Sequence, residues 1–130
     1  MDKKMTDKGI AIRKEVLGDA YPNREIKDFD PFLQPFQELT AAWCWGETWG
    51  RDDLPRKTRS LINIALLTAM GREHELKLHL IGALRNGCTE KEIQGVLLHC
   101  SVYCGVAAGS AAFRLATEVI KEYRAANPKA

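Results

Sequence analysis

The sequence predicts an all-α fold. Apolar residues recur at three- and four-residue spacing in almost every segment, breakers fall between those segments, and no stretch alternates apolar and polar residues as a strand would. At 130 residues, with 45% hydrophobic content, the chain has the size and composition of one domain with its own core, 1–130, without disulfide support.

Each element follows from its punctuation. An amphipathic helix is expected from about Lys8 to Leu17, stopped by Gly18. The run Gly18-Asp19-Ala20-Tyr21-Pro22-Asn23 then reads as a turn leading into a short arm, so that residues 1–30 form a helix and arm that can pack on a neighbouring subunit. Asp30-Pro31 is a helix start, and Phe32, Phe36, Leu39 and Trp43 are expected to form the buried face of a helix reaching about Trp45. Gly46 to Leu54, with two glycines and two aspartates, reads as a loop. Pro55 opens a strongly apolar helix carrying Leu61, Ile64, Ala65, Thr68 and Ala69 up to Gly71. The next helix spans about Glu73 to Asn86 and stops at Asn86-Gly87. Thr89 and Glu92 have capping-box spacing for a helix carrying Ile93, Val96, Leu97 and Tyr103, which breaks near Gly105. A last helix runs from about Ala108 to Ala125, making about six in all.

Composition narrows the function. The 19 basic and 17 acidic residues give a net charge of +2 with no basic run, so nucleic acid is not an expected partner. No apolar run approaches the roughly 20 residues that span a bilayer, and the polar start carries no signal-peptide core, so no membrane association is expected and the expected location is the cytoplasm. Four cysteines stand at 44, 88, 100 and 104. On a helix, Cys100 and Cys104 would hold their Cβ atoms roughly 5–6 Å apart, too far for a disulfide. His99, Cys100 and Cys104, with or without His79, lack a usual zinc spacing, so no metal site is expected and the thiols read as buried apolar groups.

His79 is the foremost candidate for chemistry. Its neighbours three and four residues away are apolar, so a helix would turn its imidazole toward the buried stripe. Such a residue is either a core histidine satisfied by one hydrogen bond or a group tuned for proton transfer.

The segments Trp45-Gly46-Glu47-Thr48-Trp49-Gly50-Arg51, Leu54-Pro55-Arg56-Lys57-Thr58-Arg59-Ser60-Leu61, Glu75-Leu76-Lys77-Leu78-His79, Asn86-Gly87, Glu92-Ile93 and Tyr103-Cys104-Gly105 carry a resemblance, in order and spacing, to the carboxymuconolactone decarboxylase family. The likeness reaches from about Ile12-Arg13-Lys14-Glu15-Val16-Leu17-Gly18-Asp19 to the last helix. It implies the helical bundle shared with the alkylhydroperoxidase D proteins, assembled as a homotrimer or homohexamer with sites near subunit contacts. In the peroxidase branch a cysteine pair precedes the histidine, at positions matching Arg72 and Glu75 here, so that thiol cycle has no nucleophile at this site.

The resemblance to the decarboxylase branch implies cofactor-free conversion of 4-carboxymuconolactone to the enol-lactone of 3-oxoadipate in aromatic catabolism. Loss of carbon dioxide drives electrons through the ring alkene to the lactone carbonyl. The site therefore needs a donor at that oxygen, an acid for carbon and a cationic anchor for the second carboxylate. His79 is assigned as the general acid or lactone donor, with a pKa near neutrality expected. Glu47 either orients His79 or is a solvated loop carboxylate, and Trp45 and Trp49 would dry the pocket. Arg59 is either the carboxylate anchor or part of an interhelical salt bridge, and Arg51 is a second, more exposed anchor. His99 either lines the cavity or packs on its helix, while His74 reads as solvated.

Two departures from the family pattern stand near these motifs: Ala107 where many members have proline, and Asp52-Asp53 where Pro-Gly is frequent. They leave room for another lactone or β-keto acid substrate. Two other readings stay open. One is a paralogue with a different reaction, including a hydroperoxidase using Cys100 or Cys104. The other is a non-catalytic ligand-binding oligomer with a structural His79.

Overall fold

The computed structural model describes residues 2–22 and 24–129; Met1, Asn23 and Ala130 lie outside these, and with Asn23 the last residue of the expected turn. Six α-helices form, and the described residues contain no strand. The chain divides into two compact units, up to Pro55 and from Arg56.

In the first unit, α1 spans Lys3–Leu17. It starts five residues before the expected point because Asp2 caps it, its side chain accepting from the Lys4 amide at 3.0 Å, and Lys3 pairs with Asp7 at 2.8 Å. Its buried positions are Thr6, Gly9, Ile12, Arg13, Val16 and Leu17. Half of that face is small or polar, so counting apolar residues misses its first two turns. Gly18, at φ 57°, ends the helix in a conformation that glycine adopts without strain.

Asp30 does act as a start signal, accepting from the Phe32 amide at 2.9 Å, but regular α2 is only Gln34–Leu39. From Thr40 to Thr48 the helix widens into a π-helix, closed by the Trp49 amide donating to the Cys44 carbonyl five residues back at 3.0 Å. The expected loop from Gly46 is thus helical as far as Thr48. The expected inner face is also reversed: Phe32, Phe36, Leu39 and Trp43 are exposed, while Gln37, Ala41, Ala42 and Trp45 are buried. Small residues decide this outcome. A Cβ on Gly9 would lie 1.6 Å from the Ala41 carbonyl oxygen, and one on Gly46 would lie 2.6 Å from the Met5 carbonyl oxygen. α1 and the π segment therefore touch backbone to backbone, an approach that the bulky aromatic face cannot make.

Arg13 fixes the other end of this contact. It is buried, donates from Nη1 to Gln37 Oε1 at 3.1 Å, and stacks its guanidinium 4.5 Å from the Tyr21 ring centroid. Gln37 Nε2 in turn donates to the Tyr21 hydroxyl at 3.1 Å. Burial holds the Arg13 pKa below the usual arginine value.

In the second unit, α3 spans Arg56–Met70, α4 Glu73–Arg85, α5 Glu90–Tyr103 and α6 Val106–Ala126, close to expectation. The Thr89–Glu92 capping box at the start of α5 forms with both reciprocal bonds present. Ile64, Leu76, Leu80, Ala83, Ile93, Leu97, Ala112, Ala116 and Val119 make one continuous core from all four helices. An ion pair between Arg124 and Glu90 ties the end of α6 to the start of α5. Among the described residues no helix is long and apolar enough to cross a membrane.

The backbone contact at Gly9 sets the first prediction. Gly9→Ala must push α1 off the π segment and should cost about 3 kcal/mol or more, read as a lower urea midpoint.

Candidate functional site

α3 and α4 form a helical hairpin closed by Gly71 at φ 70°. Asn63 lies seven residues before Met70 and His79 six after Glu73, so each sits about two turns from the bend. The hairpin register therefore sets them face to face, with Asn63 Nδ2 3.4 Å from His79 Nδ1. Arg59 lies one turn before Asn63 on the same side of α3, half-buried.

The far end of the hairpin is locked by polar contacts from Asn86, Cys88 and Glu92. Asn86 Nδ2 donates to the Oγ of fully buried Ser60 at 2.9 Å, and the Cys88 thiol reaches the Lys57 carbonyl at 3.5 Å. Lys57 also pairs with Glu92 at 3.0 Å. These ties hold the first turns of α3, and with them Arg59, against the end of α4 and the start of α5.

His79 is half-buried, and desolvation pushes its pKa down from 6.5 to about 4, with Glu75 one turn earlier offsetting only part of the shift. This corrects the expected near-neutral value: in the absence of ligand the ring is neutral at pH 7 and has one N–H to donate. The Asn63 contact was not foreseen, although the hairpin register contained it.

The remaining candidates divide between the two units. In residues 2–55, Trp45 and Trp49 are buried and stacked, ring centroids 4.9 Å apart at 24°. Glu47 is exposed and lines an open groove with Asp2, Met5, Leu39, Ala42 and Trp43. Arg51 is exposed and bound to Asp53 at 2.8 Å, so the Asp52-Asp53 departure supplies its partner. In residues 56–129, Arg59 and His79 share the hairpin, whereas His99 lies on an exposed surface of α5, stacked on Tyr103 at 4.6 Å. His74 is exposed, as expected. Ala107 is exposed in the first turn of α6.

All four cysteines are free thiols. Burial pushes the Cys44, Cys88 and Cys100 thiols up, away from the thiolate. Among the described residues no group of three or more His, Cys, Asp or Glu is placed to hold a metal ion.

Residues 34–118, from the start of α2 into α6, match the model of the carboxymuconolactone decarboxylase family. The chain belongs to the carboxymuconolactone decarboxylase family. It is 44% identical, over 93% of its own length and 90% of the relative's, to a 4-carboxymuconolactone decarboxylase of Acinetobacter baylyi. It is 43% identical, over 81% of its length and 73% of the relative's, to a nitrosuccinic acid decarboxylase of Metarhizium robertsii. The stretch matched to the carboxymuconolactone decarboxylase family contains both the Trp45–Trp49 stack and the Arg59–Asn63–His79 hairpin.

The depressed His79 pKa has a consequence for stability. Between pH 6.5 and about 4 the unfolded chain binds a proton at this ring and the folded chain does not, so stability falls as pH falls through that window. The loss should be about 2 kcal/mol, less than the full linkage value because the ring is partly exposed. Urea midpoints measured at pH 7 and pH 4 should differ less in His79→Gln than in the wild type, by that amount.

Proposed function

We propose that the chain is a cofactor-free carboxy-lyase that decarboxylates 4-carboxymuconolactone, or a close analogue, to the enol-lactone of 3-oxoadipate in the cytoplasm. The observation that carries this reading is the match along nearly the whole chain to a decarboxylase of that lactone. The hairpin geometry supplies the chemistry. The Arg59 guanidinium holds the carboxylate that stays, with fixed charge and fork geometry. His79 donates its N–H to the lactone oxygen, where charge grows as the bond to the departing carboxylate breaks and its electron pair moves through the ring alkene. Partial burial strengthens that hydrogen bond because less water competes for it.

A proton must then reach carbon. An anionic substrate within about 4–6 Å raises a neighbouring imidazole pKa by roughly 1–3 units, which moves His79 from its ligand-free value toward neutrality. Substrate binding thereby creates the acid that the reaction needs, and the ring is neutral again once the proton is delivered.

The nitrosuccinic acid decarboxylase relative favours a second substrate class for the same machinery. That acid also carries two carboxyl groups beside an electron-accepting group, a nitro group in place of a lactone carbonyl. One carboxyl leaves, the other is anchored, and the acceptor takes the charge.

Ultraviolet-monitored turnover of freshly generated 4-carboxymuconolactone, with carbon dioxide measured in parallel, tests the assignment. Wild type should turn it over, and His79→Ala should lower kcat by about 10²–10⁴-fold. A wild type inactive on the lactone but active on nitrosuccinate would move the assignment to the second class, and an active His79→Ala would remove the histidine from the mechanism.

The same reading includes a homotrimer or homohexamer. Phe36, Leu39 and Trp43 form one exposed apolar stripe on α2 and the π segment, with Phe32 exposed in the turn before it, and Ile62, Leu66 and Met70 form another on α3. Phe32 is 95% and Trp43 66% exposed, more than isolated surface apolar residues explain. By sedimentation the wild type should run as a trimer or hexamer and Phe36→Glu/Trp43→Glu as a smaller species; a monomeric wild type would rule the assembly out.

A further inference from the structure

A neutral imidazole has a single N–H, and which nitrogen carries it is decided by the partner of the other. In the hairpin that partner is Asn63, whose Nδ2 approaches His79 Nδ1 at 3.4 Å. Asparagine is among the weaker helix formers, yet this one sits in the middle of α3, between Ile62 and Ile64, half-buried. Neither capping nor core packing calls for an amide there.

We propose that Asn63 is a positioning residue for the reaction: its amide donates to His79 Nδ1 and holds the ring in the Nε2–H tautomer, so that Nε2 is the nitrogen that offers hydrogen to the substrate. This rests on the reading of His79 as the donor to the lactone oxygen. The 3.4 Å separation is long for a hydrogen bond, which leaves the amide free to turn and accept through Oδ1 once substrate binding puts the second proton on Nδ1. A bond to Nδ1 also stops the ring from turning about its Cβ bond, which matters when the acceptor oxygen must be met along one direction.

The amide can be replaced without changing its size. In Asn63→Asp a carboxylate faces Nδ1 and accepts from it, which draws the proton to Nδ1 and leaves Nε2 bare. In Asn63→Leu the donor that favours a bare Nδ1 is gone.

Long-range ¹H–¹⁵N spectra of uniformly labelled protein at pH 7 read the tautomer directly, with the His79 signals identified by their loss in His79→Gln. The wild type should show Nε2–H, Asn63→Asp should show Nδ1–H, and Asn63→Leu a smaller share of Nε2–H than the wild type. Turnover should follow the tautomer: kcat falls about 100-fold in both variants while KM stays within about threefold. A wild-type ring carrying Nδ1–H would overturn the proposal, and so would a tautomer that changes in the variants with kcat untouched. If either variant does not fold, the wild-type spectrum alone decides. If the wild type decarboxylates nothing, the functional reading falls, while the spectra still show whether Asn63 selects the tautomer.

Discussion

The bend at Gly71 sets the register of α3 against α4, and the chemistry of residues 56–129 depends on that register. A shift of one residue would rotate Asn63 about 100° away from His79 and carry Arg59 off the shared side. Two devices prevent such a shift. At one end Gly71 occupies a left-handed conformation that fixes the turn, and at the other Asn86 binds the buried Ser60 hydroxyl. Between them the core from Ile64 to Val119 fills the space on the inner faces, so the hairpin is clamped at both ends and packed along its length.

The first unit is held by a different kind of constraint. Where the second unit interlocks large side chains, the first brings two helices so close that Gly9, Ala41 and Gly46 leave no room between backbones. In the widened π segment Trp45 and Trp49 are buried and stacked while Trp43 faces outward. Gly46 in the Trp45–Arg51 motif is thus placed by a steric demand; the chemistry read into that motif rests on Glu47, Arg51 and the tryptophans.

How much was legible follows the same division. Helices ended by strong punctuation, such as Pro55, Gly71, Asn86-Gly87 and the Thr89–Glu92 box, were placed within a residue or two, because caps and breakers act locally. The start of α1 and the inner face of α2 were not, because what buries them is the absence of side chains at Gly9 and Gly46, and a hydrophobic period does not register an absence. Within the candidate site, His79 was legible from its apolar neighbours, but its charge state was not, since desolvation depends on how deeply the packed helices bury the ring. Asn63 needed the bend and two helical periods taken together, information that was present in the sequence and lies in no single motif.

A ring with a pKa near 4 also makes the resting site insensitive to the acidity of its surroundings. At pH 6 only about one such ring in a hundred is protonated, so a swing of a whole unit around neutrality leaves the local charge almost unchanged. A moderate acidification of its surroundings would therefore leave the ligand-free site in the same ionic form.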